Sequence, residues 1–346
     1  MCLLGKQAIG LDIADRSIEV AQVKSIWGKL KLVSLGRVIL AEGIVEGGRI
    51  KDQEKLAEAV GQVFKESKPR PISGRAIVFG LPERQVYLHH FHLAVHDRKD
   101  RGNLILKELV DNLPISEREL VYSYRVQNDN QEGVDILAVG SRQEVINEWS
   151  AFFKKVNLKV DIFDTEALAT FRDLFAELPV EPVLLIDIGS RTSLLTIFDK
   201  NGLGVEQVIM RAGDAITGAI AKAAEIEFSA AEAEKIKNGL NSRQKNVVAA
   251  IEGELNLITS AVKETVSYFE TTSGKKIQSA ILVGGSSQLM GLLEYFSQQL
   301  KVPTSIGVSQ LNKEKTPLEY IEAIGLALRA LDKNWGLKDP EIKINN

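Results

Sequence analysis

The chain has 346 residues, 45% of them apolar and 26% charged, with a net charge of −3 and a single cysteine. That length suits roughly two domains of ordinary globular composition. Interspersed acids and bases exclude a nucleic-acid footprint and a polybasic membrane patch, and Cys2 alone excludes an internal disulfide and suits a reducing compartment. No apolar run approaches the ~20 residues of a membrane span, and Met1 to Gly5 are too short for a signal-peptide core, so a cytoplasmic protein is expected.

In chain order, AIGLDIADRSIEVAQVK predicts a hairpin of strands over 8–14 and 18–24, and LKLVSLGRVIL a third strand over 30–40. DQEKLAEAVGQVFKESK then puts Leu56, Ala59, Val60, Val63 and Phe64 on one helical face, and Pro69 and Pro71 end the helix. RAIVFGLP is a short buried strand, which gives an α/β order. Residues 85–162 interrupt it. A strand QVYLHHFHL, a helix with Leu106, Leu109, Val110 and Leu113 on its apolar face, two strands around the turn NDNQEG, a second helix and a strand near Lys159–Ile162 predict an inserted α+β subdomain. The helix DTEALATFRDLFAEL, over 163–180, leads to a second domain over 181–332, which opens on VLLIDIGSRTSLLTIFDK. A capping box Ser229–Glu232 predicts a helix from Ala230, a long helix follows over 247–272, and SAILVGG is a buried strand. QLMGLLEYFSQQL and LEYIEAIGLALRAL are the last two helices, and the polar tail 333–346 is expected to pack poorly.

The most informative pattern is a strand–turn–strand written twice, half a chain apart. Asp12 and Asp187 each end an apolar strand in Asp-Ile, before a small turn carrying Arg16 and Ser17 in one copy and Arg191 and Thr192 in the other. Self-similarity on that scale predicts two similar domains. Small turns that present backbone N–H groups suit phosphate, so two of them predict a clamp on a nucleotide. Gly189 admits close backbone approach, Ser190 and Thr192 offer hydroxyls, and Asp12 and Asp187 suit a hydrated Mg²⁺.

These residues resemble the actin, hexokinase and heat-shock chaperone superfamily. LLIDIGSRTSLLTIF is similar to its second phosphate motif and AILVGGSSQLMGLLEYF to its adenosine motif, with IGLDIADRSIEVAQV where the first phosphate motif belongs. Within it, ELVDNLPIS, DTEALATFRDL, IMRAGDAITGAIA, AEAEKIKNGL and IEAIGLALRAL resemble the PilM family of type IV pilus assembly proteins, over nearly the whole chain to about Leu331. The resemblance implies an actin-like (ribonuclease H-like) α/β fold: two duplicated domains flanking a nucleotide cleft, with the subdomain inserted in the first. It implies ATP with Mg²⁺, held by Asp12, Ala14, Arg16, Ser17, Asp187, Gly189, Ser190, Arg191 and Thr192 on the phosphate side. Gly284, Gly285 and Ser286 would pass beside the purine and ribose, Gly213 and Thr217 start the following helix, and Glu234 and Lys237 would face the adenosine. Glu166 matches the position that orients the attacking water, at most for slow ATP hydrolysis; its other reading, which is preferred, is a helix N-terminal glutamate.

The implied partner is a PilN-like membrane protein whose cytoplasmic N-terminal peptide lies against region 85–165. It would bring a chain with no membrane insertion of its own to the inner face of the cytoplasmic membrane. Other pilus assembly proteins and self-association are further expected contacts. An FtsA-like filament-forming division protein and, less, a small-molecule kinase are the alternatives; DKNWGLKDPEIKINN lacks the basic apolar face of an FtsA-like membrane helix. One departure stands out. Ala14 replaces the motif's glycine and Asp15 its small hydroxyl, so a methyl crowds the phosphates and a carboxylate repels them unless it points away or Mg²⁺ intervenes. His89, His90, His92 and His96 lack the spacing of a structural zinc site and read as a solvated edge or interface strand.

Overall fold

A computed structural model describes residues 6–94, 101–130, 133–311 and 316–331. Its elements are β1 (Gln7–Ile13), β2 (Ser17–Ile26), β3 (Lys29–Ile39), β4 (Val45–Glu46), β5 (Arg49–Ile50), α1 (Gln53–Glu66), β6 (Ala76–Leu81), β7 (Val86–Leu93), α2 (Arg101–Asn112), β8 (Leu120–Asn130), β9 (Gly133–Arg142), α3 (Gln143–Lys155), β10 (Lys159–Thr165) and α4 (Glu166–Leu174). There follow β11 (Val183–Ile188), β12 (Ser193–Asp199), β13 (Gly202–Ile209), α5 (Gly213–Ala224), α6 (Phe228–Lys237), α7 (Lys245–Ser273), β14 (Ser279–Val283), α8 (Leu292–Leu300), β15 (Thr304–Ile306) and α9 (Ile321–Leu331). They form two compact units, one made of Met1–Glu177 with Ser309–Asn346 and the other of Leu178–Val308.

The first unit is built on a five-stranded sheet in the order β10-β6-β1-β2-β3. β1, β2 and β3 are antiparallel neighbours, and β6 and β10 add in parallel. β1 is buried on both faces, so its sequence reads as an apolar run. Ile9, Leu11 and Ile13 face one way, into a core with Leu56, Val60 and Val63 of α1. Ala8 faces the other, with Ala21 and Val23 of β2, against Ala323, Ala327 and Leu328 of α9. α1 starts at Asp52, whose side chain accepts the Lys55 amide, and buries Leu56, Ala59, Val60 and Val63 as the period requires.

Four expectations need correction here. α9, placed by sequence order in the second domain, belongs to the first unit. It lies so close to β1 and α4 that a Cβ at Gly10 would meet the Ala323 carbonyl at 2.0 Å, and one at Gly325 the Ala169 carbonyl of α4 at 1.8 Å. The strand at 159–162 is not part of the insertion, because β10 pairs with β6 in the main sheet. The helix after the insertion's strands, α3, also joins the main core through Trp149, Phe152 and Phe153, with Trp149 tilted and Phe153 edge-on to Phe79. What remains of the insertion is the sheet β7-β9-β8 with α2, closed over its own core of Phe91, Ile105, Leu109, Val134, Ile136 and Ala138. The face of α2 is centred on Ile105 and Leu109 rather than on Leu106 and Val110, because those two residues meet β9.

The second unit repeats the first sheet, in the order β13-β12-β11-β14-β15, with the same antiparallel and parallel pairings. Leu184, Ile186 and Ile188 of β11 bury against Ile216 and Ile220 of α5 and Val247, Ile251 and Leu255 of α7. The duplication expected from the two hairpins is therefore a duplication of topology. α6 begins at Phe228 with Glu227 as its N-cap, so Ser229 is not the cap that the Ser–Glu spacing suggested. Cys2, His96 and the tail 333–346 lie outside the described residues. No helix among the described residues is long and apolar enough to cross a membrane.

Asp173 of α4 holds the chain where it returns to the first unit. Its Oδ1 accepts from the Ser309 hydroxyl at 2.8 Å, and its backbone carbonyl accepts the Gln310 amide at 3.0 Å. Burial pushes the Asp173 carboxyl up to about 7, against the lowering effect of the Ser309 hydrogen bond. A folded value above the unfolded ~4 means that the fold favours the protonated acid. That stability is complete below about pH 4 and is lost as pH rises through about 7. Asp173→Asn, which keeps the acceptor, is expected to unfold at higher urea than the parent at pH 8, by roughly 1–3 kcal/mol, and at nearly the same urea at pH 4. A variant less stable than the parent at pH 8 contradicts this.

Candidate functional site

In the second unit, the turn after β11 is closed by Gly189 N–H donating to the Thr192 carbonyl at 3.1 Å. The start of α5 docks on that turn: Gly213 N–H donates to the Gly189 carbonyl at 3.1 Å, and Asp214 N–H to the Ser190 carbonyl at 2.7 Å. Ser286 Oγ donates to the same Gly189 carbonyl at 2.8 Å, and Arg191 lies 3.8 Å from Asp214. The loop after β14 passes directly against the strand end. Gly284 has φ 81, and a Cβ there would lie 2.2 Å from Asp187 Oδ1. Only glycine fits both that conformation and that distance. Thus Asp187, Gly189, Ser190, Gly213, Gly284 and Ser286, six of the sequence-selected residues, form one neighbourhood in this unit. Asp187 is half-buried, and burial alone pushes its carboxyl up to about 6. A carboxylate at a strand end beside a glycine loop suits a cation or a phosphate-bound metal, and a perturbed carboxyl is typical of functional sites.

Thr217 also joins this neighbourhood, but with partners other than those expected. Buried Lys235 of α6 donates to the Gly213 carbonyl at 3.1 Å and to Thr217 Oγ1 at 2.9 Å, and pairs with Glu232 at 2.7 Å. The Thr217 hydroxyl also contacts Glu232. Glu234 and Lys237 do not face this neighbourhood. Glu234 accepts from Ser242 and Asn238, which hold its carboxyl below the usual range, and Lys237 is exposed. The sequence AEAEKIK carries two Glu–Lys pairs three residues apart, Glu232–Lys235 and Glu234–Lys237; burial picks the first. Gly285 is exposed at the tip of the same loop.

In the first unit, Ala14 N–H closes the equivalent turn by donating to the Ser17 carbonyl at 2.9 Å. Asp12 lies at the end of β1, and its carboxylate comes together with those of Glu166 and Glu322, each offering an oxygen within 4.8 Å of the others. Three carboxylate oxygens at that spacing suit a hard divalent cation. Glu322 was not among the sequence-selected residues. Its only signal was a lone acid in the apolar run IEAIGLALRAL. Glu166 is also tied into the fold: its carboxylate accepts the Glu83 amide at 3.3 Å, while Glu83 accepts the Ala167 amide at 2.8 Å. Ser17 Oγ donates to Glu19 at 3.1 Å, and Arg16 approaches Glu42 at 3.7 Å. Asp15 turns to the β4–β5 hairpin, where it accepts the amides of Gly47 at 2.9 Å and Gly48 at 3.1 Å. His89 pairs with Glu108 and His92 with Asp135, and no metal-ligating group of histidines occurs among the described residues.

No curated protein matches the chain. Among solved structures, one described as a PilM–PilN type IV pilus biogenesis complex is 21% identical with a TM-score of 0.81, covering 94% of this chain and 98% of that one. The ethanolamine utilization protein EutJ from Carboxydothermus hydrogenoformans is 14% identical, with a TM-score of 0.60 over 95% and 91% of the two chains. MreB 5 of Spiroplasma citri bound to AMPPNP is 15% identical, with a TM-score of 0.55 over 92% and 94%. The architecture they share with this chain is the actin-like fold, as the duplicated sheets require. The family described as type IV pilus assembly protein PilM matches residues 10–331, which takes in both Asp-Ile turns, the inserted subdomain and α9. The chain is a member of the PilM family.

Proposed function

We propose that this chain is an ATP-binding scaffold of type IV pilus assembly that binds the cytoplasmic N-terminal segment of a PilN-like membrane protein. The family match supports the pilus role. The observation that carries the nucleotide reading is the convergence of Asp187, Gly189, Gly213, Gly284 and Ser286 in the second unit. There the turn of 189–192 offers amides to phosphate, and the Gly284–Ser286 loop offers a flat approach to a nucleoside. In the first unit, Asp12 with Glu166 and Glu322 is the donor set for Mg²⁺, directly or through water, and Asp187 is its counterpart in the second. Asp15 is satisfied by the hairpin amides, which removes its charge from the phosphate side of the turn and leaves Ala14 as the remaining departure from the motif. Glu166 is then the residue to orient water, for at most slow hydrolysis.

The PilN-like peptide is assigned to the region of 85–165, as an extended segment held by side-chain pockets, with main-chain pairing at a strand edge. Such a partner would recruit the chain to the inner face of the cytoplasmic membrane. Nucleotide would bias the peptide-binding state rather than supply chemistry.

Calorimetric titration with Mg-ATP tests the nucleotide half, and titration with a synthetic peptide from the N-terminus of a PilN-like protein tests the other. Glu322→Gln is expected to weaken Mg-ATP by about tenfold or more while leaving metal-free ATP unaffected. Equal loss with and without Mg²⁺ removes Glu322 from the metal set, and no heat with the parent refutes nucleotide binding. Ala14→Gly is expected to tighten Mg-ATP; unchanged affinity shows that the methyl is no obstacle.

A further inference from the structure

Asp15 does more than avoid the phosphates. β4 and β5 form a minimal hairpin whose two turn residues, Gly47 and Gly48, both have positive φ, 59 and 74. Successive left-handed glycines point their amides into one concavity that suits an anion. The anion in it is the Asp15 carboxylate. The opposite side of the hairpin is bound as fully. The Gly48 carbonyl accepts from the Trp149 indole at 3.3 Å, Ile50 N–H donates to Glu148 at 2.7 Å, and Arg49 donates to both Glu148 and Glu144 at 2.7 Å. Those three partners are on α3, which continues directly from β9 of the inserted sheet. A second strand of contact runs from the Gly47 carbonyl to the Gln85 side chain at 2.6 Å, and from the Gln85 carbonyl to the Ser141 hydroxyl of β9 at 2.8 Å.

We infer that Asp15 is a positioning residue that couples the first Asp-Ile turn to the inserted subdomain, through the Gly47–Gly48 turn and α3. This rests on the nucleotide reading given above. The element both sites bias is the Asp15–hairpin contact, which is either docked or released. Phosphates held by the turn make the released state costly, because a released Asp15 brings a second negative charge beside them. Nucleotide therefore favours the docked state, stiffens the hairpin and fixes the first turns of α3. By reciprocity, any ligand of the inserted subdomain that needs α3 in this place tightens nucleotide by the same factor.

Hydrogen–deuterium exchange on the full chain, with and without Mg-ATP, tests the coupling. In the parent, Mg-ATP is expected to slow exchange over 12–17, and also over 44–51 and 143–150, by about fivefold or more. In Asp15→Ala the slowing over 12–17 remains and that over the other two segments disappears. Asp15→Asn, which retains one acceptor oxygen, recovers part of it. Glu148→Ala cuts the chain further along, keeping the response over 44–51 and losing most of that over 143–150. A purely structural Asp15 would change the ligand-free rates and leave the nucleotide-dependent difference intact, which overturns the coupling. Slowing in the parent confined to 12–17 also overturns it while the nucleotide reading stands. No slowing anywhere in the parent overturns both.

Discussion

Arg172→Met is expected to lower the unfolding free energy by about 3–5 kcal/mol. Arg172 and Asp164 are both fully buried and lie 2.9 Å apart. The same guanidinium nitrogen donates to the Gly325 carbonyl at 2.8 Å, so the side chain joins α4, β10 and α9 at one point. Asp164 is further held by the Thr165 amide at 2.9 Å. Methionine fills most of the volume but leaves an ionised or newly protonated carboxyl without its cation, and the Gly325 carbonyl without its donor. The double change Arg172→Met with Asp164→Leu removes both charges and is expected to recover most of the loss. Urea unfolding followed by circular dichroism reads both. A double variant as unstable as the single one would mean that the Gly325 contact, not the ion pair, carries the energy.

Asp187→Asn is expected to move stability and ligand affinity in opposite directions. Burial raises the Asp187 carboxyl to about 6, above its unfolded value near 4, so its stabilising contribution is complete below pH 4 and lost as pH rises through about 6. At pH 7.5 the ionised group opposes folding, by an amount on the order of 1 kcal/mol once its partial exposure is allowed for. Asparagine removes that cost and keeps the shape, so the ligand-free variant should melt higher than the parent. It also removes a cation ligand, so Mg-ATP affinity should fall by about 10–100-fold, and the rise in melting temperature that Mg-ATP gives the parent should vanish. In the parent, Mg-ATP affinity should increase with pH through about 6, as the carboxylate becomes available. A variant that melts lower would show that a cation already balances Asp187 in the free protein. Unchanged affinity would place the site elsewhere.

The duplicated hairpins were legible because β1 and β11 are each an apolar run buried on both faces that ends in the same Asp-Ile turn, a pattern that local sequence carries unaided. α9 was not. Ile321, Ala323, Ile324, Leu326, Ala327 and Leu328 are buried around the whole helix, so no polar face indicates which sheet it covers, and sequence proximity pointed to the wrong one. Glu322 was missed for the same reason, since its nearness to Asp12 depends on where that helix docks. On α6 two Glu–Lys pairs share one spacing, and the sequence alone does not say which of them meets Gly213; the structure puts Lys235 there. The orientation of Asp15 required a partner more than 30 residues away, in a two-glycine turn that propensity marks as a bend but not as a receptor for a carboxylate.

The division of the chain has a consequence for its synthesis. One unit is a continuous stretch, Leu178–Val308, inserted in the sequence of the other, whose sheet is covered by a helix that follows the insertion in the chain. On the ribosome, the continuous unit can complete its fold as soon as it has emerged. The outer one waits with Ala8, Ala21 and Val23 uncovered until residues 321–331 arrive, some three hundred residues after β1. Emergence of α9, rather than of the first strands, is then the event that ends its exposure to chaperones, and truncation just before α9 would leave an aggregation-prone surface on a molecule whose other half is already native.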